Sequence, residues 1–563
     1  MSTNKNLLLT ALGLFGVAGT AQAQSVLYTK NGLPENAFGT SVASAGDHDN
    51  NGRPDFIVGV PENFIVFTAG PGRAIVYSGQ NGNVQRTYTG PAGTFGEFGA
   101  AVSSAGDVNN DGFDDVIVGA PFLSTNGLSG NGLARVFSGA TGAQLYEVRG
   151  VASSDQFGRA VGAAGDVNND GFDDFMVGAP YYDSSGADRG MVRVFSGAGG
   201  GILYTITGTT ANALFGISAA GGGGTNNDGR ADFAVGSLSA GARVYSGING
   251  SLLHTFTSVP EDQLGRRVSA AGDVNNDGIP DIALGATQDF PLSPGAGYVQ
   301  VRSGSSGAIL QTFLGGTVGD RFGISVGAAG DVNNDNFDDI VIGADQNNTG
   351  NGYMTIRSGS DASVLMTHSS TNPNNNIKLG RSVAGLGDVN GDGMLDVIAG
   401  APVDNAGGLG SGSARVVSFA GGGCPPPVQY CVAGTNSQGT QCLINSLGST
   451  SIAANDFVLR AQGASPSTFG IFFYGPTQIQ TPIGNSFRCV GSGGVGLFRF
   501  GPPAMINAGG TALHSVNYNA PPANAPMSLI TSGAVWNFQF FYRDGGAPNM
   551  QNFSNGLQVT FCP

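Results

Sequence analysis

One nine-residue phrase occurs seven times and governs what this chain can fold into. It runs from Asp47 to Asp55, Asp107 to Asp115, Asp166 to Asp174, Gly224 to Asp232, Asp273 to Asp281, Asp331 to Asp339 and Asp388 to Asp396, on the pattern D-x-N-x-D-G-x-x-D. Successive copies start 60, 59, 58, 49, 58 and 57 residues apart. A fixed period of this length marks a structural repeat, in which each unit buries its apolar face against its neighbours.

Every copy sits in the same frame. Upstream lies an aromatic or Leu residue followed by Gly, as in Phe98-Gly99 and Phe157-Gly158. Downstream, a β-branched run ends in Gly-Ala-Pro or a variant, as in Val116-Ile117-Val118-Gly119-Ala120-Pro121. Such a run suits a short strand buried on both faces. A mixed segment, Arg135-Val136-Phe137-Ser138, and then Leu145-Tyr146-Glu147-Val148 suit half-exposed strands, with Gly-rich turns between them. Four strands per period is one propeller blade, and seven blades closed in a ring remove open sheet edges. The last repeat stops after Arg415-Val416-Val417-Ser418, before its own outer strand, whereas Val26-Leu27-Tyr28 at the other end matches Leu145-Tyr146. The N-terminal strand is therefore predicted to complete the last blade.

The Phe-Gly and Gly-Ala-Pro frame around these loops resembles the FG-GAP repeat of integrin α-chain propellers, over residues 24–421. The resemblance implies a seven-bladed β-propeller with a calcium ion in each intact loop, in a secreted bacterial protein with an extracellular binding or adhesion role.

The residues support the calcium reading by themselves. Oxygen-bearing side chains at positions 1, 3, 5 and 9, with a backbone carbonyl at position 7, suit a hard cation that takes six to eight oxygens. The candidate ligands are Asp47, Asp49, Asn51, Arg53 and Asp55 in the first copy, and Asp107, Asn109, Asp111, Phe113 and Asp115 in the second. The third offers Asp166, Asn168, Asp170, Phe172 and Asp174; the fifth offers Asp273, Asn275, Asp277, Ile279 and Asp281. The sixth has Asp331, Asn333, Asp335, Phe337 and Asp339, and the seventh Asp388, Asn390, Asp392, Met394 and Asp396. At position 7 the ligand is the carbonyl, so Arg, Phe, Ile or Met serves equally. An EF-hand needs Glu at position 12 and flanking helices; position 12 here is always apolar, from Val58 to Ala399. A metal-free Asx-rich turn is the alternative. The fourth copy has Gly224 at position 1 and is expected to bind poorly, leaving about six sites. Asn336 replaces Gly at position 6 of the sixth copy, which is tolerable because Asn visits the left-handed region.

The termini and composition add boundaries. Lys5, the apolar stretch Leu7 to Gly19 and Ala21-Gln22-Ala23 read as a signal peptide over residues 1–23, so the protein is expected outside the cell. No segment is apolar for long enough to span a bilayer. The net charge of −15 and only three lysines disfavour nucleic acid and anionic membranes as partners. A monomer binding an extracellular protein or glycan is expected.

After the Pro-rich joint at Cys424 the loops stop and aromatic residues cluster, as in Phe472-Phe473-Tyr474 and Phe538-Gln539-Phe540. Residues 424–563 read as a small β-sandwich-like domain, similar to a C-terminal module of secreted bacterial repeat proteins, with the aromatic side chains in its core. All five cysteines lie here, and Cys431–Cys442 with Cys489–Cys562 are the expected disulfides, leaving Cys424 over. Zinc is disfavoured because the spacing lacks a C-x2-C knuckle.

No catalytic constellation emerges. His48, His254, His368 and His514 form no metal or triad spacing. Gly323-Ile324-Ser325-Val326-Gly327 matches a nucleophile elbow, but the same slot recurs as other FG-initiated phrases, so it is repeat grammar. A binding or adhesion scaffold leads, ahead of a lectin-like propeller with carbohydrate between its blades and, third, an extracellular hydrolase.

Overall fold

The computed structural model describes residues 25–418 apart from 35, 63–69, 93–95, 184–186, 260, 290–294, 347–349 and 371–375. It also describes residues 428–560 apart from 432, 434, 448–456, 484–485, 493–495, 519, 526–529, 531–534 and 545–550. The expected signal peptide, Cys424 and Cys562 lie outside these residues. Among the described residues there is no helix, and hence none long and apolar enough to cross a membrane.

The repeats form seven four-stranded antiparallel sheets. In the second blade the strands are Ala101–Gly106, Asp115–Ala120, Leu133–Phe137 and Gln144–Arg149, in spatial order from first to last. The first strand of each blade is innermost. It neighbours the first strands of the blades on either side, and Val42–Gly46 against Ser382–Gly387 completes the circuit. The second strand is buried along its whole length because neighbouring blades cover both faces, which is why it is written as an unbroken apolar run. The outer strand is half-buried along its middle and exposed at both ends.

The sequence frame has a packing reason. The Phe of each FG pair plugs the seam between blades; Phe98, Phe157 and Phe322 are completely buried. Gly119 lies so close to the next blade that an added Cβ would strike the carbonyl oxygen of Gly158. The same contact repeats round the ring, from Gly59 on Gly99 to Gly400 on Gly39, so the last blade closes on the first. A side chain at these glycines would wedge adjacent blades apart.

The N-terminal strand completes the last blade as predicted. Ser25–Asn31 pairs antiparallel with Ser413–Ser418. The Tyr28 hydroxyl donates to the Gly79 carbonyl of the first blade at 2.9 Å, repeating Tyr146 to Gly197 and Tyr204 to Gly247, each 2.6 Å. The first blade therefore sees the same outer-strand tyrosine that its counterparts see.

The C-terminal region forms a seven-stranded and a three-stranded sheet, with a further hairpin. Ile444, Leu459 and Ala512 from the smaller sheet share one core with Phe472, Tyr474, Phe538, Phe540 and Val559 from the larger, which makes a two-layer sandwich. The clustered aromatic residues build that core. The expected disulfides do not form: Cys431 is bonded to Cys489, and Cys442 is a buried free thiol. Cys442 is instead drawn into the apolar core shared by the two sheets, while Cys431 pairs with the distant Cys489.

Candidate metal centre

Each acidic loop joins the innermost strand of a blade to its buried second strand. In the second blade it leaves Gly106, which has a φ of 76°, and ends at Asp115, the first residue of the next strand. Two positions turn through the left-handed region. Position 6 is Gly112 (φ 86°) in this copy and Asn336 (φ 68°) in the sixth, as the sequence suggested. Position 4 is equally constrained: Asn110 has a φ of 53°, and its equivalents are Asn in every copy but the seventh, where Gly391 takes the place. The repeated Asn-Asn pair carried that signal unread.

The side chains divide into two groups. At position 1, Asp107 accepts the amides of Asp111 (3.0 Å) and Gly112 (2.8 Å), curling the loop around its carboxylate. Asn109 at position 3 accepts the Asp111 amide at 3.1 Å, and Asp111 accepts that of Phe113 at 3.1 Å. The same bonds recur around Asp166, Asp273, Asp331 and Asp388. These groups are half-buried to exposed, and they turn their oxygens inward.

Position 9 is different. Asp55, Asp115, Asp174, Asp232, Asp281, Asp339 and Asp396 are all fully buried. The two carboxylate oxygens of Asp115 accept the amides of Val108 (3.0 Å) and Gly139 (2.9 Å), tying the loop to the turn after the third strand. Asp232 does the same in the degenerate fourth blade, accepting Thr225 Oγ1 at 2.7 Å and the Gly247 amide at 2.9 Å. Only the seventh copy lacks the turn glycine. This framework role was missed in the sequence, although the Ser-Gly that supplies the amide recurs in six blades, from Ser78-Gly79 to Ser358-Gly359.

The electrostatics follow. Burial, reinforced by the like charges of Asp111 and Asp107, pushes the Asp115 carboxyl up to about 7, against the pull of its two amides. Asp339 and Asp396 reach about 7, and Asp55, Asp174 and Asp281 about 6, with burial the largest cause each time. A metal-free loop thus crowds carboxylates in a way a divalent cation would relieve.

In the first blade the carboxylate oxygens of Asp47, Asp49 and Asp55 lie within 4.8 Å of one another. Among the described residues this is the one trio of acidic, His or Cys side chains so gathered. The other intact loops carry Asn at position 3 and a carboxylate at position 5 instead, and their acidic groups do not converge as closely. An all-oxygen set of this kind fits calcium or magnesium and not a thiolate- or imidazole-seeking metal. In the fourth copy Gly224 removes the carboxylate around which the loop should curl, while Asp228 still accepts the Arg230 amide at 3.0 Å.

Adjacent loops are also stapled. Asp114, at position 8 of the second copy, accepts the Asp47 amide of the first at 2.7 Å. Asp173 accepts that of Asp107 at 3.0 Å, and Asp338 that of Asp273 at 2.7 Å. The other seams place Ala231, Pro280, Leu395 or Pro54 there instead.

The elbow-like Ser325 opens an innermost strand and donates to the Gly380 carbonyl at 2.7 Å, as Ser218 does to Gly265 at 3.2 Å. No strand-to-helix turn exposes it.

The FG-GAP repeat family matches residues 98–137, 157–195 and 322–356, and the FG-GAP-like repeat family matches 225–284. The chain is 30% identical over 216 residues to integrin alpha-5 of Xenopus laevis, covering 36% of this chain and 20% of that protein. It is 32% identical over 173 residues to integrin alpha-V of Gallus gallus (29% and 16%) and 28% identical over 255 residues to integrin alpha-PS2 of Drosophila melanogaster (40% and 18%). The chain thus spans at most a fifth of the length of these relatives. Framed acidic loops, a closed ring of four-stranded blades and these matches together make this chain an FG-GAP repeat protein of the integrin-α type.

Proposed function

We propose that the protein is an extracellular binding or adhesion propeller whose acidic loops hold calcium for structural purposes. The observation that carries this reading is the convergence of Asp47, Asp49 and Asp55 within 4.8 Å in a loop whose plan recurs round the ring. The candidate ligands are the loop positions named above in the first, second, third, fifth, sixth and seventh copies, and the fourth is defective. At millimolar calcium and a dissociation constant of about 0.1–1 mM, each ion adds roughly 0.5–1.5 kcal/mol. The ions stiffen one end of the ring, leaving the connections at the other end, such as Leu123 to Asn131, to meet a ligand.

The disulfide between Cys431 and Cys489 supports an oxidising, extracellular setting. Binding to immobilised extracellular-matrix proteins and to a glycan array, each with calcium and with chelator, tests the role. The scaffold reading expects calcium-dependent retention on protein. Retention on glycans alone would replace it with a lectin-like reading.

A further inference from the structure

The end of the ring remote from the acidic loops gathers cations about its axis. The innermost strands are written largely in Ala, Gly and Ser, so they enclose a narrow axis with few side chains of any length. At the FG end, cations converge on that axis from separate blades. Arg159 comes from the third blade, Arg266 and Arg267 from the fifth, and Lys378 and Arg381 from the seventh; Arg321 precedes the sixth. Arg267 lies within electrostatic reach of Arg381, Arg266, Arg159 and Arg321 together. Side chains from the third, fifth and seventh blades of a ring can meet only near its axis.

Part of this charge is balanced. Asp345, fully buried, takes Arg381 at 3.1 Å and Arg321 at 3.4 Å. Asp289 takes Arg266 at 3.2 Å and Arg321 at 3.1 Å. The rest is not. Arg267 donates to the Arg266 carbonyl at 3.3 Å, and among the described residues no carboxylate pairs with it. Arg159 is exposed to solvent and has Glu97 within electrostatic reach, but the two form no ion pair among the described residues. Burial and the neighbouring cations hold the Arg267 guanidinium down at about 9, although solvent still touches it. Both facts suit a side chain inside a narrow wet channel. In a chain with net charge −15, two guanidinium groups here have no ion-paired carboxylate among the described residues.

We propose that Arg159 and Arg267 form an oxyanion-binding site at the FG mouth of the propeller axis, with Arg266 and Arg381 adding long-range attraction. The planar forks of the two arginines match a carboxylate or sulfate, which accepts paired N–H bonds. An acidic group on a slender stem, such as a sugar acid or an acidic amino-acid side chain, is the ligand chemistry two such forks would take. The site deepens the binding-scaffold reading by naming the face and the chemistry of what is bound, and it does not require the calcium assignment to be correct.

The test uses the full mature chain in millimolar calcium at constant ionic strength, with chloride as the reference anion. Thermal shift and calorimetric titration are run with sulfate, glucuronate and N-acetylaspartate, the last two separating a sugar-acid source from an amino-acid source. Low-millimolar anion is expected to raise the melting temperature of the wild type. Arg267→Met is expected to melt higher than wild type in chloride, because an unbalanced charge is gone, and to lose at least about tenfold in anion affinity. Arg159→Gln, at an exposed position, keeps the fold and makes the same loss if Arg267→Met does not fold. An equal response to all three anions and chloride, or a response unchanged in Arg159→Gln, overturns the proposal. A calcium-dependent melt retained in that case would leave the scaffold reading standing.

Discussion

The fourth blade and the second blade are built on one plan, yet only the second has a complete acidic loop. Both keep the position-9 carboxylate, fully buried and bonded to the loop and to the Ser-Gly turn. They differ at position 1, where Asp107 gathers two amides and Gly224 gathers none. The difference separates two duties that one motif had merged. Position 9 holds the blade together whether or not a metal is bound. Position 1 curls the loop around its carboxylate, the cup proposed to hold a cation, and a blade can dispense with it.

The largest effect that could break this comparison comes from position 9. Asp232→Ala is expected to destabilise the protein by about 3 kcal/mol in urea unfolding, as much as Asp115→Ala, because each strands buried amides that had a charged acceptor. The Asp232→Ala loss should be the same with calcium and with chelator. A neutral Asp232→Ala would show that the buried carboxylate matters only through metal.

Position 1 should give a smaller effect tied to the ion. Asp107→Ala is expected to remove one calcium per chain and about 1 kcal/mol of the calcium-dependent stability. Gly224→Asp should do the reverse: Gly224 has no left-handed φ, and the added Cβ requires only that the Arg230 carbonyl, 3.1 Å away, give by a few tenths of an ångström. A Gly224→Asp protein with unchanged metal content would mean that Arg230 or the changed spacing, not position 1, disables the fourth loop.

Acidity sharpens the same division. Burial holds the carboxyls of Asp55, Asp115, Asp174, Asp281, Asp339 and Asp396 up at about 6 to 7, above the ordinary 3.8. The folded state then binds more protons than the unfolded chain between about pH 4 and 7, so chelated protein gains stability as pH falls through 7 towards 5. With calcium bound, protons compete with the ion, so the stabilisation by calcium shrinks over the same range. Melts at pH 5 and pH 8 are expected to show a clear gain towards pH 5 in chelator, a flatter profile with calcium, and a smaller calcium effect at pH 5 than at pH 8.

The smallest effect belongs to the staples. Asp114→Ala removes one hydrogen bond to the Asp47 amide and is expected to cost about 0.5–1 kcal/mol. An equally costly Leu395→Ala, at an unstapled seam, would reduce the staple to ordinary packing.

Much of this was legible in the sequence because repetition averages out local ambiguity. Seven copies set the strand pattern, and the match of Val26-Leu27-Tyr28 to Leu145-Tyr146, beside a last repeat without its own outer strand, pointed to the ring closure. What stayed hidden depended on contacts between distant positions. The second role of position 9 requires knowing that Gly139 folds back onto Asp115. Arg159, Arg266 and Arg381 share one slot of the repeat, directly after the FG or LG pair, a signal left unread; Arg267 and Arg321 stand in other slots, and only the closed ring brings all of them together. The disulfide was misread because Cys431 and Cys442 are only 11 residues apart along the chain while the sandwich buries Cys442 as a free thiol and pairs Cys431 with Cys489.

The most direct measurement is the calcium content of the purified protein, taken together with its melting temperature before and after chelation. The account predicts about six ions per chain and a melting temperature that drops on chelation and recovers when calcium is returned. A protein that carries no divalent ion and melts at one temperature in both buffers would contradict it.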